Sequence, residues 1–445
     1  LQADQAALTS KLDLSQSTLQ DRERQIQDLQ SDLAHHRSII QDMEGKVQKE
    51  EILRRRLHNT IQELKGNIRV FCRVRPLLEH EHEELNHIRF GTDLEQATIE
   101  LTQATASGVS GKAGTKTYPF TFDRVFPPTS RQGEVFEEIS QLVQSALDGY
   151  PVCIFAYGQT GSGKTYTMEG PGDPNQRMVH PEHMGMIPRT ARQIFEAAEA
   201  LREKGWVYRM EGQFVEIYNE VVYDLLGDPK PTSVTSAPVS SLRGPNIGAG
   251  RGSEGGKRCE IKHNDRTKTT IITDAATVLV DSPEKVTELL QRAAANRAVA
   301  STQCNDRSSR SHSVFILRLH GTHETSGETC DGVLNLIDLA GSERLSVSGS
   351  TGDRLRETQA INKSLSSLGD VIQALANKEP HIPFRHSRLT FLLQNSLGGN
   401  SKTLMFVNVN PQMASFNETL CSLRFAAKVN SCQIGTAKRQ VRNVS

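Results

Sequence analysis

The sequence predicts an α/β domain, in which helices cover both faces of a central, mostly parallel sheet, preceded by an α-helical coiled coil. Three observations support this prediction. Apolar residues recur every seven positions over residues 1–65, strand-like and helix-like segments alternate over residues 66–435, and a glycine-rich segment at 158–165 joins a strand to a helix. The remaining residues, 436–445, are expected to form a C-terminal tail.

The composition limits the classes of function. Lysine plus arginine and aspartate plus glutamate are equal at 52 each, so the net charge predicts neither nucleic-acid nor membrane binding. No apolar run approaches the roughly 18–20 residues of a membrane-spanning helix. The seven cysteines form no C-x-x-C pair, which favours a reducing compartment. We therefore expect a soluble intracellular protein, and because residue 1 already lies in a helical pattern, a fragment of a longer polypeptide.

The first element, residues 1–65, carries the heptad pattern of a coiled coil. One column of the pattern is apolar except at Arg54: Leu12, Leu19, Ile26, Leu33, Ile40, Val47 and Ile61. The second column is mixed: Leu8, Leu29, Met43, Leu57 and Leu64 with Ser15, Arg22, His36 and Glu50. Polar seam residues weaken a coiled coil and can specify its partner. We predict a stalk that pairs as a homodimer or heterodimer, and the alternative is a solitary charged helix.

The alternating elements follow Gly66-Asn67, where the heptads end. Extended segments are predicted at 68–76, 118–123, 152–157, 208–226, 259–280, 314–320, 333–338 and 402–409. Helices are predicted at 131–148, 188–204, 283–300, 355–376 and 415–431. Residues 102–117 are expected to form a loop of small residues, and residues 227–258, rich in Gly, Ser and Pro, a flexible surface insertion.

The segment GQTGSGKT, residues 158–165, fits the phosphate-binding pattern G-x-x-x-x-G-K-[ST]. Its glycines allow a tight turn that points backbone N–H groups at phosphate oxygens. Lys164 is expected to reach the β- and γ-phosphates, and Thr165 to place its hydroxyl on Mg²⁺. A plain glycine-rich turn has the same spacing, so other nucleotide-contacting segments must decide between the two.

Two further segments supply what nucleotide hydrolysis needs beside a phosphate loop. Asp338 ends an apolar strand in LIDLAGSER, which suits a carboxylate that holds Mg²⁺ through water, and Gly341 offers a backbone N–H to a γ-phosphate. NDRSSRSH, residues 305–312, could close over that phosphate with a serine hydroxyl on the metal. Taken singly, each segment also has a purely structural interpretation. Asp338 could be a buried turn aspartate, and residues 305–312 could be an ordinary polar loop.

Together and in this order, the three segments resemble the phosphate loop, switch I and switch II of the kinesin motors, a family of P-loop NTPases. The resemblance covers nearly the whole α/β region and implies ATP and Mg²⁺ as cofactors. It assigns Ser309 to Mg²⁺ and Ser308 to the γ-phosphate and the attacking water. It further assigns Glu343 to the proton relay from that water and to an ion pair with Arg310, which forms only when both switches close.

The resemblance also extends to the rest of the nucleotide. It places Arg73 and Pro76 on either side of the adenine and Tyr166, where many family members have histidine, in a stack on the base. The other residues that it implies at the nucleotide are Arg75, Gly158, Gln159, Thr160, Gly161, Ser162, Gly163 and Asn305.

A basic segment, HIPFRHSRLT at 381–390, resembles the microtubule-binding loop and helix of kinesins. Arg385 and Arg388 are therefore expected to face the acidic surface of tubulin, although a solvated basic turn would have the same composition. Lys262, Arg266 and Lys268 lie where the family has a second tubulin-contacting loop. The insertion at 227–258 is longer and richer in glycine than is usual there.

The order of stalk and motor resembles the C-terminal-motor class, kinesin-14. That resemblance implies an ATP-hydrolysing, minus-end-directed microtubule motor that swings its coiled coil about Gly66-Asn67. A second reading is a microtubule cross-linking subunit of a heterodimer with little motility, and a third is a chromosome-organising ATPase. We expect microtubules and a dimer partner, but no membrane or nucleic acid, and a place in the cytoplasm on the cytoskeleton and spindle.

Overall fold

The computed structural model describes the chain apart from residues 1, 67, 83–84, 92–95, 106–113, 173–179, 228–257, 265–268, 301–306, 344–352, 400, 433–436, 438 and 443–445. The predicted insertion at 227–258 and Asn67 of the predicted pivot thus lie largely outside the described residues. The chain divides into two compact units, Leu1–Leu64 and Lys65–Ser445. Of the helices described here, none has both the length and the apolar character needed to cross a bilayer.

The first unit is a single helix, α1 (Gln2–Leu64), as the heptad pattern predicts. Its described seam residues face outward: Leu19, Ile26 and Leu33 are each between 55% and 57% exposed. A single helix cannot bury this row of apolar side chains against itself. An exposed apolar row with a seven-residue repeat is typical of a helix that pairs with a second helix.

The second unit contains fifteen described strands and eight described helices. The strands are β1 (Ile68–Val74), β2 (Ile88–Phe90), β3 (Thr98–Thr105), β4 (Gly114–Thr121), β5 (Arg124–Phe126), β6 (Pro151–Tyr157), β7 (Trp206–Tyr218), β8 (Val221–Asp224), β9 (Arg258–Asn264), β10 (Thr269–Thr273), β11 (Val278–Leu279), β12 (His312–His323), β13 (Thr329–Asp338), β14 (Lys402–Val409) and β15 (Val441–Arg442). The helices are α2 (Gln132–Leu147), α3 (Lys164–Met168), α4 (Met186–Arg202), α5 (Pro283–Ala300), α6 (Asp353–Ala376), α7 (Arg388–Leu392), α8 (Gln394–Leu397) and α9 (Phe416–Asn430).

The central sheet runs β10-β9-β8-β7-β12-β13-β6-β14-β1-β5. This confirms the predicted α/β class with one correction, because the sheet is mixed and not mostly parallel. Among the described strands, β5, β1, β14, β6 and β13 pair in parallel, whereas β12, β7, β8, β9 and β10 continue antiparallel. The physical reason is connection length: β12 and β13 are joined by a short turn, and a tight turn can only reverse the chain.

Two regions without predicted structure are ordered into strands. Residues 102–105 and 114–117 of the expected loop instead form the ends of β3 and β4, which pair with each other in a separate small sheet of order β2-β3-β4, while residues 106–113 lie outside the described residues. Its threonines favour the extended backbone, which the count of small residues concealed. In the predicted tail, β15 pairs with β13, Gln440 N donates to Gly149 O at 2.9 Å, and Arg439 Nε donates to Asp148 O at 2.7 Å.

The core lies on both faces of the sheet, as predicted. Strand alternation sends neighbouring side chains to opposite faces, so that Phe71 packs with α2, α4 and α5 while Val70 and Cys72 pack with α6 and α9. The same alternation in β6 separates Ile154 from Phe155. Because β6 and β13 pair in parallel within this core, their carboxyl ends lie side by side at the same edge of the sheet.

We expect Gly332→Ala to destabilise the second unit by about 1–3 kcal/mol, the cost of overpacking a core. A Cβ at Gly332 would collide with the carbonyl oxygen of Ala146 in α2. The matched control is Gly369→Ala in α6, where nothing lies within 4 Å of the added methyl and where alanine should stabilise the helix by roughly 0.5–1 kcal/mol. Urea denaturation measures both variants, and a Gly332→Ala protein as stable as wild type would contradict the described packing.

Candidate nucleotide-binding site

The phosphate loop links β6 to α3 through three glycines in the left-handed region. Gly158, Gly161 and Gly163 have φ of 148°, 75° and 92°, a conformation that side chains disfavour. At Gly158 a Cβ would also collide with the carbonyl oxygen of Asn408 in β14. The glycine spacing is therefore required by both backbone conformation and close strand approach, which rules out an interchangeable surface turn.

A cleft of about 1080 Å³ opens above this loop. The predicted site residues that line it are Arg73, Arg75, Pro76, Thr160, Gly161, Gly163, Lys164, Thr165, Tyr166, Ser309 and Asp338. Asn305 lies outside the described residues. Ser308 lies in a short 3₁₀ helix, Arg307–Arg310, but its side chain is not described. The fold thus brings segments separated by more than 200 residues into one cavity.

Lys164 is held at the floor of the cleft. It is 7% exposed, and its Nζ donates to the backbone oxygen of Gln159 at 2.9 Å. Burial lowers the pKa of Lys164, while the nearby carboxylates of Asp338 and Glu343 act in the opposite direction. A buried cation of this kind is stabilised further by phosphate oxygens.

The residues expected at Mg²⁺ fit such an ion. Thr165 Oγ1 donates to Asp338 Oδ2 at 2.5 Å, whereas Asp338 Oδ1 is buried without a hydrogen-bond partner among the described residues. Burial raises the pKa of Asp338, and Lys164 opposes the rise. Hydroxyl and carboxylate oxygens are the ligands that Mg²⁺ prefers, and Ser309 lines the same cleft. A carboxylate with an unused oxygen can therefore accept a ligand water there.

At the other end of the cleft, Arg73 supports Tyr166. Arg73 donates to Gln132 Oε1 at 2.7 Å and to Thr167 Oγ1 at 2.9 Å, and its guanidinium carbon lies 5.6 Å from the centroid of the Tyr166 ring. The phenol of Tyr166 also shares a 2.9 Å hydrogen bond with His183 Nδ1. Arg73 is only 6% exposed, so its guanidinium contacts Gln132, Thr167 and the Tyr166 ring and has little contact with solvent.

Arg75 ties the phosphate loop to β1. Its Nε donates to the backbone oxygen of Gly161 at 2.7 Å, and its guanidinium pairs with Glu81 at 2.5 Å. The hydrogen bond from Arg75 lowers the pKa of Glu81 to about 2, so this carboxylate stays charged at neutral pH. Arg75 is thus occupied in positioning the loop, a role that the family resemblance did not specify.

The predicted Arg310–Glu343 ion pair is absent from the described structure. Arg310 pairs instead with Glu357 of α6 at 2.8 Å, and Glu343 accepts hydrogen bonds from Thr160 N at 2.7 Å and Thr160 Oγ1 at 2.6 Å. The reason is local: Glu357 is 3% exposed, and a buried carboxylate needs a cation, while Thr160 offers Glu343 two donors at once.

Gly341 also has a partner that the sequence did not predict. Its N–H donates to the backbone oxygen of Ser309 at 2.9 Å, and Ser342 N donates to Gly158 O at 3.0 Å. The loop after β13 is therefore bonded both to the segment that precedes β12 and to the phosphate loop. The three segments that are expected to contact the nucleotide therefore meet at this point.

The described basic residues that are expected at the track, Lys262, Arg385 and Arg388, are exposed. Arg385 belongs to the 3₁₀ helix Phe384–His386 and Arg388 begins α7, whose first turn is capped by Ser387. Both arginines, with Lys363 of α6, line a cleft of about 510 Å³. Lys262 in β9 is 62% exposed and lies 3.8 Å from Glu260, whereas Arg266 and Lys268 lie outside the described residues.

Sequence reasoning missed Gln132, Thr167, His183 and Glu357 as supports of the site. Glu357 carried a usable signal, because it shares one helical stripe with the buried Ile361 and Ser364 of α6. A carboxylate on a buried stripe indicates a cationic partner. The other three have no such pattern and are found only from their contacts.

Known proteins share both the sequence and the fold. The pattern of the kinesin motor domain matches residues 73–432. The chain is 49% identical over 443 residues to kinesin-like protein klpA of Emericella nidulans, covering 98% of this chain and 53% of that protein. It is 53% identical over 392 residues to kinesin-like protein KIN-14C of Arabidopsis thaliana, covering 88% of this chain and 46% of that protein.

A solved structure of a C-terminal motor and motor homology domain of Kar3Vik1, fused to a synthetic heterodimeric coiled coil, superposes with a TM-score of 0.72 at 42% identity. The alignment covers 95% of this chain and 99% of that one. The chain spans about half the length of the relatives named above. By the match of its motor domain and by these relatives, the chain belongs to the kinesin family, among the kinesin-14 or C-terminal kinesins.

Proposed function

We propose that this chain is the ATP-hydrolysing part of a minus-end-directed microtubule motor. The observation that carries the proposal is the single cleft in which the phosphate loop, Ser309 and the Asp338–Thr165 pair meet. These are the parts that ATP hydrolysis at a phosphate loop requires, and they occur in a chain of the kinesin family.

In this proposal the phosphate loop holds the nucleotide and leaves the chemistry to the switches. Lys164 exchanges its bond to Gln159 O for β- and γ-phosphate oxygens. Thr165 and Ser309 would hold Mg²⁺ by their hydroxyls, and the unpartnered Oδ1 of Asp338 would accept a hydrogen bond from a ligand water. Bound Mg²⁺ neutralises charge on the β- and γ-phosphates. Tyr166, fixed between Arg73 and His183, stacks on the adenine.

Hydrolysis then depends on a change of partners. Glu343 must leave Thr160, and Arg310 must leave Glu357, before the two can pair and Glu343 can accept a proton from the attacking water that Ser308 positions. One ion pair and two hydrogen bonds are exchanged for a single ion pair, so the paired arrangement is the less stable one without nucleotide. The contacts of a γ-phosphate beside Gly341 supply the free energy that selects it.

The microtubule is the proposed track, contacted by Arg385 and Arg388 and also by Lys262, Arg266 and Lys268. The exposed arginines lie on a face that α6 also reaches through Lys363, and the acidic surface of tubulin has the complementary charge. The corresponding proposed localisation is the cytoskeleton, including spindle microtubules.

The exposed apolar row of α1 supports pairing with a second helix, in a homodimer or a heterodimer. Swinging of this helix about Gly66, whose φ of 90° breaks the helical backbone, is the proposed working stroke. The polar seam residues Ser15, Arg22, His36 and Glu50 favour a specified partner. They also support the second candidate, a cross-linking subunit of a heterodimer with little motility of its own.

We expect Asp338→Asn to reduce the affinity for Mg²⁺-ADP by about 10–100-fold, the usual loss when a metal site loses an oriented carboxylate. Binding of a fluorescent ADP, titrated with Mg²⁺, measures the effect. The matched control is Asp331→Asn, the same substitution on β13, where the carboxylate bonds to His320 at 2.7 Å, far along the strand from Thr165. Equal Mg²⁺ dependence in the two variants would contradict the proposed metal site.

We expect microtubules to stimulate ATP turnover and Glu343→Ala to lower turnover by about 10²–10⁴-fold without loss of ATP binding, because a general base is removed. Glu199→Ala in α4 is the control, since this glutamate is 76% exposed and only loosely paired. ATP turnover that microtubules do not stimulate would contradict the motor proposal, and stimulation of turnover by DNA would favour a chromosome-organising ATPase. A fully active Glu343→Ala protein would contradict the role proposed for Glu343.

We expect the dimerised chain, fixed by α1 to a surface, to move polarity-marked microtubules with their plus ends leading. Direction follows from the proposed swing of a helix joined to the amino-terminal side of β1. The control is Glu343→Ala, which should bind filaments but not move them. Motion with minus ends leading would overturn the direction, and tight binding with ATP turnover but without motion would favour the cross-linking subunit.

A further inference from the structure

A buried histidine outside the nucleotide contacts joins the loop after β13 to α6. His312, the first residue of β12, is 3% exposed. Its Nδ1 accepts a hydrogen bond from the backbone N–H of Ala340 at 3.0 Å, and its Nε2 lies 2.8 Å from Ser364 Oγ in α6. The ring thus joins the loop after β13 to α6 by one hydrogen bond to each.

The hydrogen bonds determine the tautomer of His312. A backbone N–H can only donate, so Nδ1 must carry a lone pair and Nε2 must carry the proton. Nε2–H then donates to Ser364 Oγ, whose own hydrogen goes to Ile361 O at 2.8 Å. Burial, together with the charge of Lys164, lowers the pKa of His312 to about 3, which keeps the ring neutral.

The loop end of this chain of bonds lies beside the nucleotide. Ala340 is the residue before Gly341, whose N–H is the group expected to meet a γ-phosphate and which donates to Ser309 O at 2.9 Å. The N–H groups of Ala340 and Gly341 belong to consecutive peptide planes that meet at the Ala340 Cα atom, so a movement of Gly341 toward the cleft is passed to the Ala340 N–H through only two backbone dihedrals. The imidazole of His312, the first residue of β12, accepts the hydrogen bond from that N–H.

The helix end lies beside the exposed basic face. Ser364 follows Lys363, whose Nζ lies 3.7 Å from Glu220 Oε2. The same oxygen accepts the backbone N–H of Arg388 at 3.1 Å, at the start of α7. Rotation or translation of α6 therefore changes a contact that α6 and α7 share through Glu220.

We infer that His312 is a positioning residue that couples the Gly341 loop to α6 through its bond to Ser364, so that the nucleotide state changes the arrangement of Lys363, Glu220 and Arg388. The inference rests on the proposed function for the identity of the track. The coupling itself is a property of the motor unit and can be measured without microtubules.

The test compares variants that break one end of the bond chain. Ser364→Ala removes the acceptor for Nε2–H, Ser364→Thr restores a hydroxyl, and His312→Asn keeps an acceptor near Nδ1 but does not reach Ser364. Ser367→Ala is the matched control, because Ser367 is also buried in α6, at 5% exposure against 2% for Ser364. The readouts are ATP turnover with and without microtubules, and amide hydrogen exchange with ADP and with a non-hydrolysable ATP analogue.

In wild type and in Ser367→Ala, we expect the ATP analogue to change exchange both in the loop Leu339–Glu343 and in α6. In Ser364→Ala and His312→Asn the change should stay in the loop, and microtubule-stimulated turnover should fall about five- to tenfold, as expected for one buried hydrogen bond, with basal turnover of Ser364→Ala kept. The double variant that combines His312→Asn with Ser364→Ala should lose no more stimulated turnover than either single variant, because both changes break the same connection. Ser364→Thr should keep the stimulated turnover of wild type.

Exchange in α6 that responds to nucleotide in Ser364→Ala as in wild type would overturn the inference, as would additive losses in the double variant. Failure of microtubules to stimulate wild type would overturn the proposed function alone, because the exchange measurement still reports whether His312 and Ser364 connect the loop to α6.

Discussion

The structure depends on one constraint, the parallel pairing of β6 with β13. This pairing brings Asp338, the last residue of β13, level with Ala156, two residues before Gly158. Thr165 at the start of α3 can then donate to the Asp338 carboxylate. A charged group at this depth is unfavourable unless it is compensated, and Lys164 with Thr165 supplies the compensation. The other oxygen of this carboxylate, Asp338 Oδ1, has no hydrogen-bond partner among the described residues and can accept a bond from a ligand.

Around this fixed pair, the proposed hydrolysis requires the switch residues to exchange partners. Glu343 bonds to Thr160 and Arg310 to Glu357, so the two residues expected to pair are each held elsewhere. Pairing of Arg310 with Glu343 would leave the buried Glu357 without its cation, so a bound ligand has to supply the free energy that shifts the balance. Because Glu357 belongs to α6, exchange of the Arg310 partner would also change what holds this helix. His312 adds a second, uncharged connection to α6, from the loop after β13.

Much of the fold follows from local patterns. The helix Pro283–Ala300 and the strand Lys402–Val409 have the predicted limits, because continuous apolar periodicity and clear end signals define them. Strand β3 and the first half of β4, residues 114–117, were missed because threonines among small residues resemble a loop, whereas the extended segment predicted at 118–123 covers the second half of β4. The strand β15 was missed because two residues gain their extended form only from the edge of β13. The antiparallel half of the sheet was missed because residue patterns identify strands but not their direction.

The sequence by itself determined the contiguous features: the heptads of α1, the glycine spacing of the phosphate loop and the family to which the three motifs belong. These depend on residues near one another in the chain, where spacing alone sets backbone conformation. The tertiary structure decided the partners, since Arg310 meets Glu357 47 residues away and Glu343 meets Thr160 183 residues away. Several carboxylates and donors were chemically acceptable to each. Burial and distance select among them, and neither quantity exists before the chain has folded.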